Sequence, residues 1–82
     1  MIVRNYKFIQ IDETTDTEYT VFNNKTNDCL AHINYYKPWK EWVIFPYLDC
    51  VFSADCLIDL AHFLNLLNTG KIKPEKTPKE YL

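Results

Sequence analysis

The run from Tyr35 to Leu67 constrains the fold most, because an aromatic strand, a proline stop and a capped amphipathic helix follow one another in it. The helix is predicted to begin after Ser53, a favoured N-cap residue, with Asp55 in the first turn, where the helix dipole stabilises an anion. Apolar side chains recur at three- and four-residue spacing and predict one face packed on a sheet. They are Leu57, Leu60, Ala61, Leu64 and Leu67, flanked by Cys56 and Phe63. The opposite face carries Asp59, His62, Asn65 and Asn68. Gly70 is placed to end the helix in the left-handed conformation.

Four strands are predicted before the helix. They cover residues 3–11, 18–22, 29–36 and 41–45, which are rich in β-branched and aromatic residues. Residues 12–18 and 23–28 are polar and are interpreted as turns. Pro38 and Pro46 end the last two strands, because proline has no amide hydrogen to donate to a sheet. Short connections favour neighbouring strands, so the predicted fold is α+β, a four-stranded antiparallel meander sheet with one C-terminal helix packed on one face.

One domain accounts for the chain. Residues 1–70 are predicted to form a single compact unit, and residues 71–82, with two prolines and alternating charge, an extended or disordered tail. A chain of 82 residues is close to the size at which one core barely supports a fold. Its two Trp, six Tyr and five Phe supply the large side chains that such a core requires.

The charge distribution bears on the class of partner. Residues 1–70 carry five basic and nine acidic groups, whereas residues 71–82 carry four basic and two acidic ones. An acidic body argues against binding to a phosphate backbone, which depends on cationic side chains, and leaves room for a basic protein partner. Three cysteines, an odd number, and an N-terminus without a signal segment predict a cytoplasmic protein. No apolar run reaches the roughly 20 residues of a membrane helix, so no membrane association is expected.

The residues capable of metal binding or nucleophilic catalysis are poorly spaced for either. Cys29 and His32 resemble half of a zinc site that Cys50 and Cys56 would complete, but residues three apart in a strand point to opposite faces. Cys56 and His62 are six residues apart in the helix and therefore lie on different sides of it. We expect buried free thiols, no metal, no cofactor and no enzyme activity.

The aromatic cluster before the helix has a better claim on function. Its rings are Tyr35, Tyr36, Trp39, Trp42, Phe45 and Tyr47. About half of them should fill the core, and the others should face outward beside two lysines. Tyr and Trp are enriched in protein interfaces, and we therefore predict a partner-binding site. Its candidate residues are Tyr35, Tyr36, Lys37, Trp39, Lys40 and Trp42. The same rings and lysines are also compatible with a stacking platform for single-stranded nucleic acid.

Several motifs between Asn24 and Asn68 occur together. They are NKT, a strand ending in a Tyr pair, PWKEWVIFP, and VFS-x-x-CL-x-DL-x-x-FL-x-x-LN. This order resembles a family of small proteins encoded by bacteria and their phages, although members often have a Ser-Gly turn where this chain has Asn27-Asp28. The resemblance implies a compact sheet with one helix and a mobile-element context, but no established activity. It suggests a non-catalytic inhibitor of a host defence complex, which binds a host or phage protein.

Two other function classes remain open at this stage. A single-stranded nucleic-acid-binding module would line its aromatic strand with lysines and bind in a salt-dependent way. A self-assembling structural protein would form a homodimer or larger assembly through an exposed sheet edge, for which the first predicted strand is the candidate.

Overall fold

The computed structural model describes residues 2–15 and 18–73. Within these residues, five strands and one helix follow in chain order: β1 (Ile2–Asn5), β2 (Ile9–Thr15), β3 (Glu18–Asn23), β4 (Cys29–Tyr36), β5 (Glu41–Pro46) and α1 (Ala54–Asn68). The strands pair antiparallel in the order β1-β2-β3-β4-β5. The α+β class and the single C-terminal helix are confirmed, but the sheet has five strands where four were predicted. The predicted tail lies outside the described residues from residue 74 onward.

The additional strand arises because the first predicted strand, residues 3–11, is a hairpin. Tyr6 donates its amide to the Ile9 carbonyl at 2.8 Å, which closes a tight reversal between β1 and β2. The side-chain amide of Asn24 donates to the Tyr6 carbonyl at 2.7 Å and fixes that reversal from the next loop. The reversal contains neither glycine nor proline, so the local sequence carries no turn signal.

The predicted turn at residues 12–18 is mostly strand. Asp12 pairs with Thr20, and Glu13 pairs with Tyr19, so β2 and β3 continue beyond the apolar residues. The hydroxyls of Thr14 and Thr20 hydrogen-bond at 3.0 Å across the two strands. Cross-strand pairs therefore extend the β2–β3 hairpin through polar residues whose composition alone favours a loop.

The helix covers one face of the sheet, and the core lies between them. Its buried side chains are Ile9, Ile11, Tyr19, Val21, Leu30, Ala31, Ile33, Trp42, Leu60, Phe63 and Leu67. Tyr19 lies at the centre, with its ring edge-to-face against both Trp42 and Phe63 at centroid distances of 6.0 and 5.3 Å. Aromatic pairs in this geometry stabilise a core beyond the area they bury.

Both ends of the helix confirm the sequence prediction. The Ser53 hydroxyl accepts the Cys56 amide at 3.2 Å as the N-cap. At the other end Gly70 has φ 76°, and the Gly70 and Lys71 amides donate to the carbonyls of Leu67 and Leu66. These two bonds form a Schellman motif, which satisfies carbonyls that the helix leaves unpaired.

The buried face of the helix is rotated from the predicted one. Leu60, Phe63 and Leu67 are buried, whereas Leu57 is 53% exposed and Ala61 is exposed. At 100° per residue, Leu57 and Ala61 lie roughly 90° and 130° from the centre of the buried stripe. The predicted membership of these two residues in the core is wrong, because Phe63 determines which side meets the sheet.

Tyr19 makes the stability of the fold depend on pH in the alkaline range. It is 1% exposed, and burial raises its pKa, as do the charge of Glu13 and the hydrogen bond that its hydroxyl donates to that carboxylate. A pKa higher in the folded than in the unfolded chain contributes stability that is complete below the unfolded value and lost as pH rises through the folded value. We expect the free energy of unfolding to fall above about pH 10.

Chemical denaturation at a series of pH values, with tyrosinate absorbance followed in parallel, measures this dependence. Tyr19→Phe should flatten the alkaline decline, and Tyr47→Phe, at an exposed ring, serves as the matched control. An identical decline in wild type and Tyr19→Phe would contradict the assignment to Tyr19.

Candidate functional site

The turn between β4 and β5 projects Trp39 into solvent. The Trp39 and Lys40 amides donate to the carbonyls of Tyr36 and Lys37 at 3.2 and 3.1 Å, which closes two successive turns. Lys40 adopts a positive φ of 54°, a conformation that non-glycine residues adopt mainly in tight turns. Trp39 is 67% exposed, and both lysines are exposed beside it.

A row of aromatic rings runs from this turn across the face of the sheet opposite the helix. We call it the aromatic row, and it consists of Trp39, Tyr36, Phe45, His32 and Tyr47. Successive centroids are separated by 5.2, 6.2, 4.9 and 5.7 Å. The His32 and Phe45 rings are stacked at 12°, and the Tyr36 ring meets its two neighbours edge-to-face.

Strand register brings these rings together. His32 lies opposite Phe45 in the β4–β5 pairing, so their side chains share a face. The same cross-strand line continues through Thr20 to Asp12. The aromatic row therefore has two lysines near the Trp39 end and a carboxylate two strands from His32.

Four of the six predicted site residues lie together at the β4–β5 turn, and two lie elsewhere. Tyr36, Lys37, Trp39 and Lys40 form the turn and its flank. Trp42 is only 2% exposed and belongs to the core, and the Tyr35 ring packs edge-to-face against it at 5.9 Å on the helix side. Trp42 is therefore not an exposed ring, because it lies opposite Tyr35 on the covered face, although it lines the larger depression beside β5.

Three residues of the aromatic row are not among the predicted binding residues. Phe45 and Tyr47 belong to the predicted aromatic cluster, and His32 belongs to the half zinc site that the sequence suggests. Alternation from Tyr36 back along β4 places His32 on the same face. Pairing β4 with β5 then adds Phe45. The register of β4 and β5 thus identifies these residues as neighbours of Tyr36, which composition alone does not show.

Two depressions flank β5, one on each face of the sheet. The larger, of about 400 Å³, lies between β5 and α1 and is lined in part by Trp39, Glu41, Ile44 and Leu64. The smaller, of about 210 Å³, lies on the open face and is lined by Tyr36, Trp39, Val43, Ile44 and Phe45. Trp39 borders both, so one exposed ring links the two faces at the start of β5.

The cysteines and histidines are separated into unrelated environments. All three cysteines are free thiols, but Cys29 is exposed and Cys50 and Cys56 are half-buried, so the expectation of buried thiols is wrong. The Cys50 sulfur lies 3.7 Å from the Cys29 carbonyl oxygen. The Tyr6 hydroxyl lies 2.8 Å from Nδ1 of His62. Burial raises the pKa of that tyrosine, the Arg4 charge lowers it, and the Asp59 charge raises it. Within residues 2–15 and 18–73, no group of three or more His, Cys, Asp or Glu side chains is arranged to hold a metal ion.

Comparison of the chain with protein-family models, with curated proteins and with solved structures finds no match. The family resemblance therefore stays a prediction. In the described part of the chain, no helix combines the length and apolar character needed to cross a membrane.

Proposed function

We propose that this protein is a non-catalytic protein-binding module that contacts its partner through Trp39 and the aromatic row. The observation that carries the proposal is the placement of Trp39, which is 67% exposed at the tip of the β4–β5 turn and borders both depressions beside β5. A Trp with apolar depressions around it matches the buried anchors that dominate protein interfaces.

The surrounding side chains support a protein partner. The Tyr36 ring packs edge-to-face against Trp39 and Phe45. Side chains held by such contacts form a rigid apolar surface and lose little conformational entropy when a partner binds. Exposed Lys37 and Lys40 provide a polar rim on one side. An apolar centre with a polar rim is the usual composition of a protein interface.

Single-stranded nucleic acid is the second candidate, because an aromatic row on an open sheet face also suits base stacking. The charges favour the first candidate. Only Lys37 and Lys40 lie beside the row at the turn, whereas Asp12 shares the cross-strand line with His32 and Glu41 borders the larger depression. Binding to immobilised single-stranded DNA that weakens steeply with salt would favour the second candidate.

Inhibition of a host defence complex by a phage-encoded protein is a more specific form of the same proposal. Small size, an acidic body and the family resemblance support it. A host nuclease or complex recovered as the partner, and inhibited by the purified protein, would establish this form.

Affinity capture from a bacterial lysate tests the proposed site. Wild type should retain a reproducible set of proteins, identified by mass spectrometry, and Trp39→Ala should lose them. The free energy of unfolding should change by less than about 1 kcal/mol in Trp39→Ala, because an exposed side chain is removed.

The matched control is Ile58→Ala, which removes another large apolar side chain, 65% exposed on the outer side of the helix. It should retain the same proteins as wild type. Loss of capture in Ile58→Ala but not in Trp39→Ala would move the site to the helix, and reproducible capture of nothing by wild type would count against the function itself. A large loss of stability in Trp39→Ala would identify Trp39 as a structural residue.

A further inference from the structure

We propose that β5 receives an added strand: an extended peptide segment of the partner pairs with the backbone of Ile44 and sends alternate side chains into the two depressions beside β5. This inference rests on the proposed protein-binding function and specifies how the partner is held. Strand addition obtains affinity from main-chain hydrogen bonds and specificity from pockets for alternate side chains.

The hydrogen-bond directions of β5 identify the available position. Tyr47 donates its amide to the Leu30 carbonyl at 3.0 Å and continues the ladder with β4. Peptide groups alternate in direction along an antiparallel strand, so those of Trp42, Ile44 and Pro46 point away from β4. Pro46 has no amide hydrogen, and Trp42 is already bonded to a helix side chain. Among the described residues, Ile44 therefore presents the complete donor and acceptor pair at this edge.

The bonds at Trp42 show that this edge accepts the hydrogen-bond pattern of a neighbouring strand. Asn68 Oδ1 accepts the Trp42 amide at 2.6 Å, and Asn68 Nδ2 donates to the Trp42 carbonyl at 3.2 Å. A side-chain amide thus makes the two bonds that a residue of a neighbouring strand would make. The larger depression between β5 and α1 is lined by Ile44 and Leu64 as well as by Trp42 and Asn68.

The other edge of the sheet is less suited to an added strand. The β1–β2 pairing shifts register between Ile2 and Arg4, and such irregularities blunt an edge by twisting its backbone groups. By contrast, β5 pairs with β4 in one register from Glu41 to Pro46. The regular edge is also the one flanked by Trp39.

The charges of the two depressions specify the occupant. Glu41 is the charged residue among those that line them, and it lies on the larger depression, whereas Lys37 and Lys40 of the turn line neither. In the larger depression, a lysine or arginine of the peptide would meet the opposite charge of Glu41. The lining near Ile44 is apolar and accepts an aliphatic or aromatic side chain. The fitting partner segment is extended, with a basic residue beside Glu41 and apolar residues beside Ile44.

The test uses the full chain and a displayed library of random dodecapeptides as the probe. Selected peptides should carry the basic and apolar residues described above, and Glu41→Gln should weaken their binding about two- to fivefold. Methylation of one alternate set of peptide amides should weaken binding about tenfold or more, whereas methylation of the intervening set should have little effect. Peptide binding should slow hydrogen exchange at the Ile44 amide and leave the Trp42 amide, already bonded, unchanged.

Other outcomes overturn strand addition and are distinguishable from failure of the proposed function. Recovery of no peptide, or equal effects of methylation at every position, removes the mechanism, yet Trp39-dependent capture from lysate would leave the function standing. Protection of the Ile44 amide in the free protein also overturns it: concentration-independent protection assigns the edge to the chain's own residues 74–82, and concentration-dependent protection assigns it to a second copy.

Discussion

Leu60→Ala is expected to lower the free energy of unfolding by about 2–5 kcal/mol. Leu60 is 2% exposed in the core between helix and sheet, and its truncation would leave a cavity there. Small domains have total stabilities of about 5–15 kcal/mol, and this one is near the lower size limit, so the variant is expected to be partly unfolded at room temperature.

Leu57→Ala is the matched control, with the same substitution one turn earlier in the same helix. Because Leu57 is 53% exposed, its truncation should cost less than about 1 kcal/mol. Urea denaturation followed by circular dichroism compares the two. Equal losses of stability would show that the helix faces the sheet with the stripe that periodicity predicted, not with the one centred on Leu60, Phe63 and Leu67.

The ends of the helix were predictable because each depends on local chemistry. A serine hydroxyl at Ser53 and a left-handed glycine at Gly70 act on backbone groups within a few residues. The rotation of the helix is not local. Leu57 and Leu60 are equally apolar, and the side of the helix that carries Leu60 is covered together with Phe63, which packs against Tyr19.

The strand count failed for a related reason. Residues 3–11 contain β-forming residues throughout, and the reversal after Asn5 is stabilised by Asn24, a residue of a distant loop. Composition indicates which residues favour an extended conformation. It does not indicate the position of a turn when the hydrogen bonds that stabilise the turn come from residues distant in sequence.

In the candidate site too, some features follow from local sequence and others depend on tertiary structure. Adjacent Tyr35 and Tyr36 necessarily point to opposite faces of β4, but which face the helix covers depends on tertiary structure. Trp39 and Trp42 are three residues apart in one motif, yet the first is at the tip of a turn and the second is in the core. The sequence therefore identifies the candidate region, but the face on which each ring lies depends on strand pairing and on the helix.

Asn68→Ala is expected to lower the free energy of unfolding by about 1–3 kcal/mol, since two backbone groups of Trp42 lose their partner in a partly buried setting. The helix propensity of alanine partly offsets this loss. Amide exchange at Trp42 should accelerate more than exchange elsewhere in β5, because the Trp42 amide becomes an open edge position.

Asn65→Ala is the matched control. Asn65 borders the same depression one turn earlier, and its exposed side chain makes no hydrogen bond to any described residue. Its replacement should leave stability within about 0.5 kcal/mol of wild type. Equal effects of the two substitutions would show that the Asn68–Trp42 bonds contribute nothing beyond helix propensity. A loss confined to Asn68→Ala, accompanied by concentration-dependent association, would show that this side chain also keeps the β5 edge from pairing with a second copy.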